Sequence, residues 1–155
     1  MKITSLKIRV LKNTGNKMLG VASITLDNMI AIHDIKILRN SDGLFLAMPS
    51  KAVKPGTFKD SVHPINAQVR EAIERIIFAA YQICSNNNNG NAQFDVIAES
   101  SKTLLEQTFS DFRLVSSEIY KFSVSNDIFH DEDDVSEATA DGSKKGNAFL
   151  VWLNN

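Results

Sequence analysis

The chain has 155 residues, 43% of them hydrophobic and 23% charged, with a formal net charge of −1. That length and apolar content predict one ordinary domain, or a small domain with a substantial appendage, and exclude an intrinsically disordered chain. No run of about 18 apolar residues is present, and the opening MKITSLKIRV alternates apolar with charged side chains where a signal peptide would be apolar. A soluble, cytoplasmic protein with no membrane partner is therefore expected.

In chain order, LKIRV (6–10) sets Leu6, Ile8 and Val10 on one face and Lys7 and Arg9 on the other, the pattern of a half-buried strand. NTGNK (13–17) supplies turn residues, with Gly15 able to take positive φ. LGVASITL (19–26) and IAIHDIKIL (30–38) are β-branched runs separated by Asp27, Asn28 and Met29, which predicts a tight hairpin. The second run breaks its own alternation, because Ile30 and Ile32 share a parity with Asp34 and Lys36 while Ile35 and Ile37 fall on the other. A bulge near His33 would reconcile the two halves. NSDG (40–43) is another turn, and LFLAM (44–48) reads as a fourth strand ended by Pro49.

A segment rich in cations follows, with Lys51, Lys54, Lys59 and His63, and Arg70 comes just beyond it. It reads as a loop held by Pro49, Pro55 and Gly56, with no carboxylate between Met48 and Lys59. Asn66 is a good N-cap for the next element, in which Val69, Ile73, Ile76, Ile77, Ala80 and Ile83 recur at helical spacing. Arg70, Glu71, Glu74 and Arg75 fall on its outer side, with Glu71 four residues before Arg75 in the favourable order for an ion pair. One helix covers one face of a small sheet, so the remaining surface calls for a second copy of the chain.

The polar run SNNNNGN (85–91) reads as a linker. Up to Ser85 there are 12 Lys or Arg against 6 Asp or Glu, and from Asn86 onward there are 5 against 12, a split of +6 and −7. Such asymmetry points to a polyanion-binding part and an acidic appendage. In that appendage, QFDVIAE (93–99), YKFSV (120–124) and AFLVWL (148–153) read as strands and SKTLLEQTFSDF (101–112) as an amphipathic helix starting at a serine cap. Six of the nine phenylalanines and the only tryptophan lie beyond residue 90, so the appendage is expected to pack rather than trail. The expected organisation is a domain over 1–85 and an acidic, aromatic-containing extension over 86–155. The expected fold class is α+β: a four-stranded antiparallel meander, one long amphipathic helix, a dimer, and a C-terminal mixed α/β extension.

Chemistry of other kinds finds little purchase. His33 beside Asp34 and His63 before Pro64 have no serine or cysteine placed with them as a nucleophile, so no catalysis is expected and both imidazoles are read as structural. HDEDD (130–134) lacks the alternating ligands and central glycine of a calcium loop. Cys84 is the only cysteine and reads as a small hydrophobe at a helix end, so neither a metal nor a cofactor is implied.

The ordered runs ITLDNMIAIHDIKIL, GLFLAMPSK and GTFKDSVHPIN, followed by an arginine four residues on, resemble the bacterial stage V sporulation protein G family, also called septation protein SpoVG. The resemblance covers about residues 1–84 and implies an antiparallel sheet with a following helix, a homodimer formed through strands, and site-selective DNA and RNA binding in a regulatory role. It places the nucleic-acid contacts on the basic residues after MPS, which corresponds here to Lys51. Where the family usually continues MPSKR, this chain has Ala52, and Lys54 and Lys59 supply nearby point charges for phosphate. The expected binding residues are Lys51, Lys54, Lys59 and Arg70. The alternative is a non-catalytic adaptor that recruits a protein partner through the acidic extension, its basic loop having lost its role, as Ala52 would indicate.

Overall fold

The computed structural model describes residues 1–11, 15 and 17–119 of the chain. The expected strands over 120–124 and 148–153 and the acidic run 130–134 lie outside the described residues.

Four strands follow one another as an antiparallel meander: β1 (Ile3–Val10), β2 (Met18–Leu26), β3 (Ile30–Asn40) and β4 (Gly43–Ala47). The β2–β3 connection is Asp27, Asn28 and Met29, with Asp27 and Asn28 both at positive φ (50° and 56°) and the Met29 N–H donating to the Leu26 carbonyl at 2.8 Å. It is tied to the start of β1, since the Lys2 N–H donates to Asp27 Oδ1 at 2.9 Å and the Asn28 N–H to Thr4 Oγ1 at 3.0 Å. The expected bulge is present. Ala22 faces Ile35 and Ile24 faces Ile32, so His33 and Asp34 together oppose Ser23, and Asp34 takes φ 67°. The insertion lets Ile32, Ile35 and Ile37 all contribute to the helix-side core despite their mixed parity. His33 Nδ1 lies 3.1 Å from Ser23 Oγ across it.

Helix α1 (Ala67–Asn86) starts where expected, with the Asn66 side chain accepting from the Val69 N–H at 2.8 Å. It buries Ala72, Ile73, Ile76, Ile77, Ala80, Tyr81 and Cys84 against Leu6, Ile8, Ile24, Ile35 and Ile37 of the sheet. The buried stripe is rotated at its end from the expected one, with Ile83 exposed and Cys84 fully buried. Burial pushes the Cys84 thiol up to about 11, which leaves it a packing residue. The expected Glu71–Arg75 pair is replaced by Arg70–Glu74, 3.6 Å apart. Arg75 instead donates from Nη2 to the carbonyl oxygens of Gln107 at 2.9 Å and Leu105 at 3.4 Å, two acceptors that suit a guanidinium fork.

The expected sheet of four strands is corrected by the structure to six, with two later strands, Asn89–Val96 and Phe112–Ile119, added in turn at the β1 edge of the meander. β7 (Asn89–Val96) pairs antiparallel with β1, and β8 (Phe112–Ile119) pairs with β7. The polar run 85–91 is therefore not a free linker: it holds the end of α1, its C-cap Asn87, Asn88 at φ 57° and the start of β7, with Asn91 in register with Arg9. The β1 edge that a four-strand sheet would leave open is filled by the chain itself, because Leu6 and Ile8 find Phe94 and Ala92 as cross-strand partners.

The helix expected over 101–112 is also corrected. The segment is built of turns and ends in a single 3-10 turn, Phe109–Asp111. Its threonines and acids bond the backbone locally, Thr103 N–H and Oγ1 to Glu106 Oε2 at 3.2 and 2.7 Å and Thr108 N–H to Asp111 Oδ2 at 2.8 Å, which offers the backbone an alternative to helix. The Thr108 N–H and the Lys102 ammonium, 2.9 Å from Asp111 Oδ1, hold the Asp111 carboxyl below the usual carboxylate range. No helix among the described residues is long and apolar enough to cross a membrane.

Candidate nucleic-acid interface

The run expected as a loop between β4 and α1 is a second, two-stranded sheet: β5 (Ser50–Lys54) pairs antiparallel with β6 (Thr57–Asp60). Its tip is Pro55–Gly56. Pro55 presets the first turn position and Gly56 takes φ 79°, as a type II turn requires at its second. Every residue from Ser50 to Asp60 is exposed, so this hairpin is an arm presenting both faces to solvent. The Ser61 N–H donates to the Pro49 carbonyl at 2.7 Å and closes its base.

The register arranges the charges. Lys51 lies directly opposite Lys59, and Ala52 opposite Phe58. A register shift between Ala52 and Lys54 inserts Val53 and brings Lys54 opposite Thr57. Because Thr57 and Lys59 share a face by alternation, Lys54 joins Lys51 and Lys59 on that same face. Three of the four expected site residues are thus brought together. Like charges directly opposite one another cost stability, and the arm's one carboxylate, Asp60 at its base opposite Ser50, falls by alternation on the other face. A two-stranded hairpin is marginal by itself, so a repelling pair at its centre is a feature that an anionic partner would relieve.

Arg70 is held differently. Its Nη2 donates to the Leu46 carbonyl at the end of β4 at 2.8 Å, while its Nε faces Glu74. The side chain stays 40% exposed, but its donors tie the first turn of α1 to the sheet. The first turn of α1 carries no acidic residue, and its cap is the Asn66 side chain on the Val69 N–H. His63 is exposed, its Nδ1 3.0 Å from the Pro64 carbonyl.

Sequence reasoning missed the pairing of Lys51 with Lys59 and gave Phe58 no role, although that ring is 68% exposed. The signal was present in SKAVK-PG-TFKD, two short runs of mixed lysine and apolar residues on either side of a Pro-Gly turn.

Residues 1–83 match the SpoVG family model, a span that takes in β1 to β6 and all of α1 except its last turn. The chain is 42% identical over 99 residues to a protein of Clostridioides difficile named "Putative septation protein SpoVG", an alignment that covers 64% of this chain and 100% of the relative. Relatives of the same name in Clostridium beijerinckii and Caldanaerobacter subterraneus are 46% and 42% identical, over 53% and 57% of this chain and 89% and 97% of their own lengths. The meander, the cationic arm and nearly all of the capped helix fall inside the matched span, whereas β7 and β8 both lie beyond it and extend the same sheet; the chain belongs to the SpoVG family.

Proposed function

We propose that this chain is a bacterial or phage-encoded, non-catalytic regulator that binds DNA or RNA as a homodimer through the phosphate backbone, with the β5–β6 arm as its contact. The observation that carries the reading is the Lys51–Lys59 cross-strand pair, joined by Lys54 on one face of a fully exposed hairpin. Phosphate oxygens between the ammonium groups turn a repulsive pair into two charge-assisted contacts. A lysine needs no bidentate geometry for this, so Ala52 in place of arginine removes a fork and leaves the point charges. The relatives' printed name attaches the family to septation, and a regulatory role in that process is the one assigned here. Pairing of two copies through the edge of β4, the edge strand that lies within the family span, would double the number of arms on one ligand.

Two measurements test this. Lys51→Ala is expected to weaken binding of every oligonucleotide alike, by roughly 3- to 10-fold at low salt, without changing the order of preference among sequences. Wild-type affinity in that variant would remove the arm from the interface. Light scattering at micromolar concentration is expected to give twice the chain mass, and a monomer would overturn the dimer.

A further inference from the structure

The arm carries one feature that phosphate binding does not use. Phe58 is 68% exposed in the middle of β6, opposite only Ala52, and sits between Thr57 and Lys59 in sequence. An aromatic ring left in water at that extent, on an element whose other face is cationic, is the combination used by single-strand binders: charge tracks the backbone and a ring stacks on a base. We propose that Phe58 is a base-stacking residue that makes the arm prefer single-stranded or locally unpaired nucleic acid to duplex. The inference rests on the phosphate-binding reading above.

The register makes the two contacts compatible. Side chains alternate along β6, so the ring of Phe58 and the ammonium of Lys59 project to opposite faces of a ribbon only two strands wide. Among the described residues β6 pairs only with β5, which leaves its outer edge open. A single strand lying along that edge has its phosphates on one side of its sugar chain and its bases on the other. It can therefore set phosphate against Lys59 and Lys51 while a base turns onto the Phe58 ring. A duplex keeps its bases stacked inside and can answer the lysines alone. Phenylalanine has no hydrogen-bonding group, so the stacking would be tolerant of base identity.

The test compares wild-type protein with Phe58→Leu and Phe58→Trp, using a fluorescent thymidine oligonucleotide and a mixed-sequence duplex of the same length in one buffer. Phe58→Leu keeps an apolar side chain and removes the ring; because the site is exposed, its unfolding midpoint is expected to match wild type. It is expected to lose roughly 5- to 100-fold in affinity for the single strand, with duplex affinity and the salt slope unchanged, and Phe58→Trp to retain or tighten single-strand binding. Wild-type binding to the oligonucleotide with no loss in Phe58→Leu, or an equal loss on both probes, would overturn the stacking role alone. So would a halved mass of Phe58→Leu by light scattering, which would assign the ring to a protein interface. Wild-type protein that binds neither probe would overturn the phosphate-binding reading and the stacking role with it.

Discussion

Replacing Gln107 by Leu is expected to lower the free energy of unfolding by about 2–5 kcal/mol, read from urea titrations. Gln107 is fully buried and uses both ends of its amide on one residue of β1, accepting from the Ile3 N–H at 2.8 Å and donating to the Ile3 carbonyl at 2.9 Å. It stands in for a neighbouring strand at the point where the β1–β7 ladder, whose last pair is Ser5 with Asp95, has ended. Leucine fits the volume but leaves a buried donor and a buried acceptor unpaired, at about 1–3 kcal/mol each. The same segment is held by the Leu104 N–H on the Met1 carbonyl at 2.8 Å and by Arg75 from α1, so the loss would spread to neighbouring contacts. The control is Leu105→Ala, at a side chain 49% exposed in the same segment, which is expected to change stability by less than about 0.5 kcal/mol. Equal effects from the two would mean that the segment is not anchored through Gln107.

Phe94→Ala is expected to cost about 3–5 kcal/mol. The ring is 3% exposed, lies in β7 opposite Leu6 of β1, and meets Phe109 edge to face with centroids 5.0 Å apart. Phe109 in turn lies against Phe112 at the start of β8, 6.5 Å between centroids. Removing Phe94 opens a cavity against β1 and takes away the partner that fixes this aromatic row. Because the family span ends at residue 83, the experiment asks whether β7 and β8 are structural parts of the same sheet. A cost below about 1 kcal/mol would mean that they rest on it loosely.

What could be read from the sequence followed the range of the interactions involved. The β2–β3 turn and the start of α1 were legible because Asp27 and Asn28 are residue types that tolerate the positive φ the turn takes, and Asn66 caps a backbone N–H three residues on. The bulge at His33 was legible because the register of a strand is written in its alternation, and a break in alternation demands an inserted residue. The place of β7 was not, because its partner is β1: Ser5 and Asp95 are far apart in the chain, and nothing local to QFDVIAE names the strand it will join. Residues 101–112 misled through apolar spacing that fits a helix, while Thr103, Glu106, Thr108 and Asp111 spend their side chains on turns. At the site, the lysines were found as residue types and their geometry was missed. A loop would have scattered them, and only the pairing of β5 with β6 sets Lys51 against Lys59 and leaves Phe58 on the opposite face.

The claim that the arm is a phosphate-binding element is tested most directly by the salt dependence of binding, with full-length protein titrated on one oligonucleotide at several salt concentrations. In the proposed dimer, three lysines on each of two arms would give about six phosphate contacts, for which log affinity is expected to fall against log salt with a slope of roughly −4 to −5. Removing Lys51 from both arms should make that slope shallower by about 1–2. A slope near zero, or one that Lys51→Ala leaves unchanged, would contradict the account.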